Sequence, residues 1–149
     1  MGLIVQKFGG SSVADTERLQ LVADHIEKEL NLNNNVVVVV SAQGKTTDKL
    51  ISEEREITKK SSPREHDVLV STGEQITIAK LAMVLHERNR KAVSLVGWQI
   101  PIITDSNYTE AKIRYIENET IKEYLRAGNV VIVAGFQGVD ELGNITTLR

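Results

Sequence analysis

Five consecutive valines at residues 36–40 constrain the fold of this chain more than any other feature. A strand with one face in water alternates apolar and polar residues, and this run does not alternate. An unbroken apolar strand is typical of a parallel sheet that carries helices on both faces. The valines therefore predict an α/β fold built around a buried central strand.

The residues before the valines predict a helix. Apolar side chains recur every three or four residues through residues 16–30, which indicates one buried face. Asp15 or Thr16 precedes this stretch and can cap it, and the asparagine-rich residues 31–35 can end it in a left-handed turn. The apolar positions of this helix are Leu19, Val22, Ile26 and Leu30.

The remainder of the chain continues to alternate between the two patterns. Helices are predicted at residues 48–59, 73–90 and 120–127, and strands at residues 3–8, 92–96 and 130–134. Residues 66–70 fit a helix or a short extended piece, residues 100–104 a short strand, and residues 107–116 an irregular or partly helical segment. Residues 140–147 predict a hairpin that turns at Gly143 and Asn144. The core face of helix 73–90 is expected to include Ile76, Ala79 and Met83.

Composition excludes several classes of protein. The chain has 149 residues, 41% of them apolar and 26% charged, which suits one ordinary globular domain or part of a larger protein. A net charge of −2 without a basic block gives no indication of a nucleic-acid partner, and no apolar run approaches the ~20 residues of a membrane span. Cysteine is absent, which excludes disulfides and thiol chemistry and suits the cytoplasm. The three histidines are far apart, so we expect no metal site.

Four predicted strand exits are polar or rich in glycine, and ligands of parallel sheets gather at such carboxyl ends. The first exit reads Lys7-Phe8-Gly9-Gly10-Ser11-Ser12. Glycines allow close approach of a ligand to the backbone, the first N–H groups of a following helix attract anions, and Lys7 adds a positive charge. This combination predicts a phosphate-binding loop, and the alternative is a tight strand-to-helix connection. The other exits are residues 41–47, 97–99 and 135–138.

Two further segments have a functional and a structural interpretation. Residues 41–47 offer several hydrogen-bond donors or are a solvated loop; they are not a Walker A loop, because Val39 stands where that motif needs glycine. Ser71-Thr72-Gly73-Glu74 either caps a helix with an acid in its first turn, or presents a carboxylate to the ammonium group of a ligand.

Five ordered segments of the chain resemble one family. The run from Lys7 to Val13 is similar to the K-F-G-G-[ST]-S-V signature of aspartokinases, which belong to the amino acid kinase superfamily. Similar segments follow in the order V-S-A-Q-G-K-T-T-D at residue 40, V-S-T-G-E at residue 70, I-T-D at residue 103 and V-A-G-F-Q-G at residue 133, with I-T-T-L at residue 145. The resemblance spans the whole chain and implies a three-layer α/β/α sandwich with a mostly parallel sheet.

The resemblance implies transfer of the ATP γ-phosphoryl group to the β-carboxylate of L-aspartate, the first step of lysine, threonine and methionine biosynthesis. It implies ATP, with Mg²⁺ bound to it, as the cofactor, and a homo-oligomer for the full-length enzyme. Lys7 would be the catalytic residue that contacts the transferred phosphate. The other implied positions are Gly9, Gly10 and Ser11 for the phosphate, and Ser41, Thr47, Glu74 and Phe136 for aspartate.

The family continues beyond T-T-L into G-R-G-G-S-D, a nucleotide-binding half and two regulatory ACT domains. We therefore expect residues 1–149 to be the amino-terminal, substrate-binding lobe of the kinase domain, and to be inactive alone. One alternative is another member of the superfamily that uses glutamate, carbamate or a nucleotide. A second is a non-catalytic lobe that binds an amino acid or another subunit.

Overall fold

The computed structural model describes residues 2–148 and has an α/β architecture. Five α-helices and eight strands lie in this range, with one 3-10 turn, Gly10–Val13, after the first strand. The strands are β1 (Leu3–Phe8), β2 (Asn35–Val40), β3 (Ala92–Leu95), β4 (Ile102–Thr104), β5 (Ile113–Ile116), β6 (Val130–Ala134), β7 (Gln137–Val139) and β8 (Ile145–Thr147). The helices are α1 (Thr16–Asn31), α2 (Thr46–Ile57), α3 (Pro63–Val70), α4 (Thr72–Glu87) and α5 (Glu119–Arg126).

The valine strand lies inside the main sheet, as predicted. Its four strands are parallel and run in the order β1-β2-β6-β3. In β2, Val36 and Val38 are completely buried, and Val37 and Val40 are also in the core. Because β2 pairs along its length with β1 and β6, their carboxyl ends lie side by side, with Val40 opposite both Phe8 and Ala134.

Helices cover both faces of this sheet, which confirms the three-layer arrangement. On one face α1 and α4 pack against alternate residues of β2 and β6; on the other, α5 and the residues around β4 pack against the remaining ones. Asp15 caps α1, because its Oδ1 accepts a hydrogen bond from the Arg18 N–H at 2.8 Å. Asn33 has a φ of 65°, the left-handed turn predicted to follow this helix.

A second sheet of four strands, in the order β5-β4-β7-β8, was not predicted as a separate unit. The predicted hairpin is confirmed as the antiparallel pair β7 and β8, with Gly143 at a φ of 89° in its turn. The prediction that residues 107–116 are irregular or partly helical is wrong at Ile113–Ile116, which form β5, whereas residues 107–112 are irregular. This strand is an exposed edge whose four residues all face solvent to some degree, so the sequence carries no alternation.

The predicted core face of α4 is also wrong. Ile76 and Met83 are 46% and 66% exposed, and Ala79 is half-buried. Apolar residues lie on most sides of this helix, so its periodicity does not select one face. By length and composition α3 and α4 together could cross a membrane, and half of that segment's most apolar window is buried inside the fold. The buried residues of α4 are Gly73, Glu74, Thr77, Ile78, Leu81, Ala82 and Leu85.

Two substitutions in α4 test the corrected face. Leu81→Ala should destabilise the chain by about 2–5 kcal/mol, because Leu81 is completely buried and its truncation leaves a cavity. Met83→Ala is the matched control and should change the free energy of unfolding by less than about 0.5 kcal/mol. Urea unfolding followed by circular dichroism measures both; equal losses for the two variants would contradict the assignment.

Candidate active site

The carboxyl ends of β1, β2 and β6 open onto a cavity of about 530 Å³. Three residues to which the resemblance assigns a role border this cavity: Lys7 from β1, Ser41 after β2 and Phe136 after β6. These roles require the three residues to be neighbours. Val39 and Val133 are among its apolar walls. An apolar cleft with a few convergent polar groups at strand ends is the usual form of a small-molecule site in such folds.

Lys7 brings a cationic ammonium group to this cavity. It is the penultimate residue of β1 and is exposed, and it lies opposite Val39 of β2. Among residues 2–148, no carboxylate forms an ion pair with Lys7. Its charge is therefore available to an anionic group of a ligand.

The glycine loop after β1 has one open and one closed position. Gly10 packs closely, since a Cβ there would lie 3.0 Å from the Ala42 carbonyl oxygen, and its own carbonyl accepts the Gly44 N–H at 2.9 Å. Gly9 has an ordinary extended backbone, with a φ of −82°, and no atom within 4 Å of a Cβ placed there. Within residues 2–148, neither the backbone nor the packing requires glycine at residue 9.

The glycine loop is separated from α1 by a short turn, and α1 begins where the sequence predicted. Residues 10–13 form a single 3-10 turn, with Ser11 exposed, and α1 begins only at Thr16. The Asp15 carboxylate already accepts one of the N–H groups of the first turn of α1. An anion at the glycine loop would therefore meet the 3-10 turn rather than the capped end of α1.

The loop after β2 is packed rather than merely solvated. Ala42 is buried, and a Cβ on Gly73 would lie only 2.7 Å from the Ala42 Cβ. The Gln43 side chain donates to the Val13 carbonyl at 2.8 Å and accepts from Lys80 Nζ at 2.9 Å. This loop thus joins the glycine loop to α4. Thr47 lies in the first turn of α2 at its end, and is not among the residues that line the cavity.

Glu74 is a buried acid rather than an exposed residue of a helix cap. Its exposure is 2%, and Ser71 makes no side-chain cap, because its Oγ donates back to the Val68 carbonyl. Burial raises the pKa of the Glu74 carboxyl to about 7. Hydrogen bonds from Gln137 and from the Glu74 and Ala42 backbone N–H groups act in the opposite direction and lower this pKa. No cation among residues 2–148 forms an ion pair with this carboxylate.

Phe136 occupies a strained position at the mouth of the cavity. Its φ is 69°, a region that bulky residues rarely adopt, and its side chain is 42% exposed. The Leu148 N–H donates to the Phe136 carbonyl at 2.8 Å, which helps to hold this conformation. Strained residues persist where the surroundings impose them, and they concentrate at functional sites.

The sequence motifs contained two residues whose role we did not predict. Gln137 and Ala42 both contact Glu74, and both lie inside quoted motifs without a function assigned to them. A polar residue between Phe136 and Gly138 at a strand exit was the available signal for Gln137. Among residues 2–148, no group of three histidine, aspartate or glutamate side chains could hold a metal ion.

Comparison with known proteins identifies the family. The model of the amino acid kinase family matches residues 2–148. The chain belongs to the amino acid kinase family. This confirms the superfamily that the five motifs predicted.

Individual relatives of this amino acid kinase chain are aspartokinases. The enzyme of Geobacillus stearothermophilus is 55% identical over 148 residues, a match that covers 99% of this chain and 36% of that relative. The crystal structure of aspartate kinase from Synechocystis has a TM-score of 0.83 at 43% identity, and the match covers 99% of this chain and 24% of that one. These relatives confirm the resemblance to aspartokinases, and the chain spans about a third of the length of its curated relatives.

A more distant structure shares the fold. E. coli aspartokinase III, in complex with aspartate and ADP, has a TM-score of 0.82 at 24% identity. The match covers 97% of this chain and 43% of that one. At this identity the likeness supports the three-layer architecture alone.

The raised pKa of Glu74 predicts how stability depends on pH. The folded chain holds a proton on Glu74 more tightly than the unfolded chain, whose glutamates titrate near 4.5. The resulting stabilisation is complete below about pH 4.5 and is lost as the pH rises through about 7. From pH 5 to pH 8 the wild-type chain should lose roughly 2–3 kcal/mol more than Glu74→Gln, measured by urea unfolding. Parallel pH profiles of the two proteins would contradict the assignment.

The two glycines should respond differently to alanine. Gly9→Ala should leave the free energy of unfolding unchanged or raise it by up to about 1 kcal/mol, because the folded state accepts the methyl group and the unfolded chain loses entropy. Gly10→Ala should cost about 1–3 kcal/mol, because the new Cβ presses on the Ala42 carbonyl oxygen. Thermal and urea unfolding measure both; a large loss for Gly9→Ala would show that residue 9 is packed.

Proposed function

We propose that this chain is the amino-acid-binding lobe of an aspartate kinase, which transfers the γ-phosphoryl group of ATP to the β-carboxylate of L-aspartate. One observation carries the proposal. Glu74 is a buried carboxylate without a cationic partner among residues 2–148. It does not itself line the cavity, but its hydrogen-bond partner Gln137 does, as does Lys7. A buried charge of this kind is costly unless it is paired, and a ligand ammonium group would pair it.

The proposed reaction suits the side chains of this site. The acceptor carboxylate is already ionised at neutral pH, so it needs no general base to become a nucleophile. Phosphoryl transfer then depends on positioning and on stabilisation of the charge that develops on the transferred group. In this proposal Lys7 contacts the oxygens of that group, and Gly9, Gly10 and Ser11 present backbone N–H groups to it.

The substrate would lie between the strand exits. Its ammonium group would face Glu74, while Ser41 and Phe136, which border the cavity, would contact the remainder of the molecule. Thr47 is also proposed to contact aspartate, because it lies at the end of the same loop as Ser41. In the transition state the attacking β-carboxylate must approach the phosphate that Lys7 holds, so the two charged side chains would bracket the substrate.

ATP would bring magnesium, held largely by the phosphates of the nucleotide. The cation would offset the negative charge of the phosphates. Residues 2–148 contain no cluster of three acidic or histidine side chains that could hold a metal ion by themselves.

Catalysis is proposed for a protein of the length of the curated relatives, because this chain spans 36% of such a relative. The full-length activity would begin the biosynthesis of lysine, threonine and methionine. For residues 1–149 alone we propose binding without turnover as a second candidate function. Binding without turnover is favoured because this one chain contains both Glu74 and the cavity that Lys7 borders.

Removal of the Lys7 charge tests the proposed activity. In a full-length aspartokinase that contains this sequence, Lys7→Ala should lower kcat by about 100-fold or more and change the KM for aspartate much less. The reason is that its charge acts mainly on the transition state. The measurement is the formation of aspartyl hydroxamate from ATP, L-aspartate and hydroxylamine.

Lys28→Ala is the control, since Lys28 is an exposed residue in the last turn of α1, and it should behave as the wild type. A Lys7→Ala effect confined to KM would contradict a transition-state role. A wild-type protein that phosphorylates glutamate or a nucleotide instead of aspartate would favour another activity of the family.

A further inference from the structure

Gln137 lies at the centre of three loops and is completely buried. It is the first residue of β7, and its side chain reaches two other segments. Its Oε1 accepts a hydrogen bond from the Gly97 N–H at 3.0 Å. Its Nε2 donates to the Ser71 carbonyl at 2.9 Å and to Glu74 Oε1 at 3.1 Å. One amide side chain thus connects the loop after β3, the start of α4 and the exit of β6.

The orientation of this amide is fixed by its partners. The Gly97 N–H can only donate, so it must face the oxygen of the amide. The Ser71 carbonyl can only accept, so it must face the nitrogen. A flipped amide would lose both bonds inside the protein, at the cost of two unpaired buried groups. Gln137 therefore presents an N–H group to Glu74 whether or not that carboxyl is ionised.

Close packing fixes the backbone of β7 at Gln137. A Cβ on Gly97 would lie 2.7 Å from the carbonyl oxygen of Gln137, so the loop after β3 touches the backbone of β7. A Cβ on Gly138 would lie 2.5 Å from the Thr104 Cγ2, which fixes the other side of the strand. The backbone that carries the Gln137 side chain is consequently fixed on both sides.

Gln137 also provides the side-chain hydrogen bond that Glu74 receives. The other donors near this carboxylate are the backbone N–H groups of Ala42 and of Glu74 itself. All three are neutral donors, so they orient the carboxylate and leave its charge uncompensated.

We propose that Gln137 is a positioning residue, which holds the Glu74 carboxylate in the orientation that receives the ammonium group of an amino-acid substrate. The inference rests on the proposed function for the identity of that substrate. The contact between Gln137 and Glu74 can be tested whether or not the substrate is an amino acid. A purely structural role would stabilise the three loops without acting on the ionisation of Glu74.

The test follows the Glu74 carboxyl by ¹³C NMR as the pH of the 149-residue chain is raised. In Gln137→Met, which fills the same space without hydrogen bonds, the titration midpoint should rise by roughly half to one pH unit, because the ionised form loses a donor. Thr77→Val is the matched control. Thr77 is also completely buried on α4, and its hydroxyl donates to the Gly73 carbonyl instead of Glu74.

The expected result is a higher midpoint in Gln137→Met and an unchanged midpoint in Thr77→Val. An unchanged midpoint in Gln137→Met would overturn the proposal. If Gln137→Met does not fold, the wild-type chain provides a second measurement. The Gln137 side-chain amide signals in a ¹⁵N–¹H spectrum should shift with the same midpoint as the Glu74 carboxyl, and signals that stay constant from pH 5 to pH 9 would overturn the proposal.

Kinetic measurements on a full-length aspartokinase that contains this sequence test the positioning role of Gln137 separately from the proposed kinase activity. Gln137→Met should raise the KM for aspartate by about 10-fold or more, roughly the effect of one misplaced charged hydrogen bond, with a smaller change in kcat. Thr77→Val should keep both constants. If the wild type does not use aspartate while the Glu74 midpoint still depends on Gln137, the proposed function fails and the contact stands. If aspartate is used with an unchanged KM in Gln137→Met, the positioning role fails.

Discussion

The burial of β2 on both faces is the constraint on which the other features depend. A strand of valines between two helical layers has no water to satisfy its backbone, so its N–H and C=O groups must pair with β1 on one side and β6 on the other. These pairings bring three strand exits to one edge. The lysine of the first exit, the serine of the second and the phenylalanine of the third then border one cavity, although they are distant in sequence.

A buried polar pair, Glu74 and Gln137, is the second important feature, and Gln137 also lines this cavity. Glu74 enters the protein on α4 because Gly73 allows the helix to approach Ala42, and Gln137 meets the carboxylate from β7. Burial without a cation leaves the carboxyl poised near neutral pH, where a bound ammonium group would favour its ionised form. Another buried carboxylate, Asp140, has the opposite environment: hydrogen bonds from Asn144, Ser106 and Tyr108 outweigh burial and lower its pKa to about 2.

The sequence predicts the sheet and helix layers of the fold better than it predicts which face of a helix is buried or which residues the loops contact. The valine run and the cap at Asp15 are local signals, and both correspond to the structure. The buried face of α4 depends on packing against sheet and loops, so Met83 was assigned inward although it is exposed. β5 is an edge strand without alternation, and its pairing with β4 is a tertiary event. The role of Gln137 arises from residues 40 and 66 positions away, which no local pattern encodes.

In the proposed function, Glu74 is the counter-charge of a substrate ammonium group. The most direct measurement is the titration of the Glu74 carboxyl by ¹³C NMR in the presence of L-aspartate, with succinate, which lacks the ammonium group, as the comparison. Saturating L-aspartate should lower the Glu74 pKa below about 7, because a nearby cation favours the carboxylate, and succinate should not. An identical Glu74 titration with and without L-aspartate would contradict this role of Glu74.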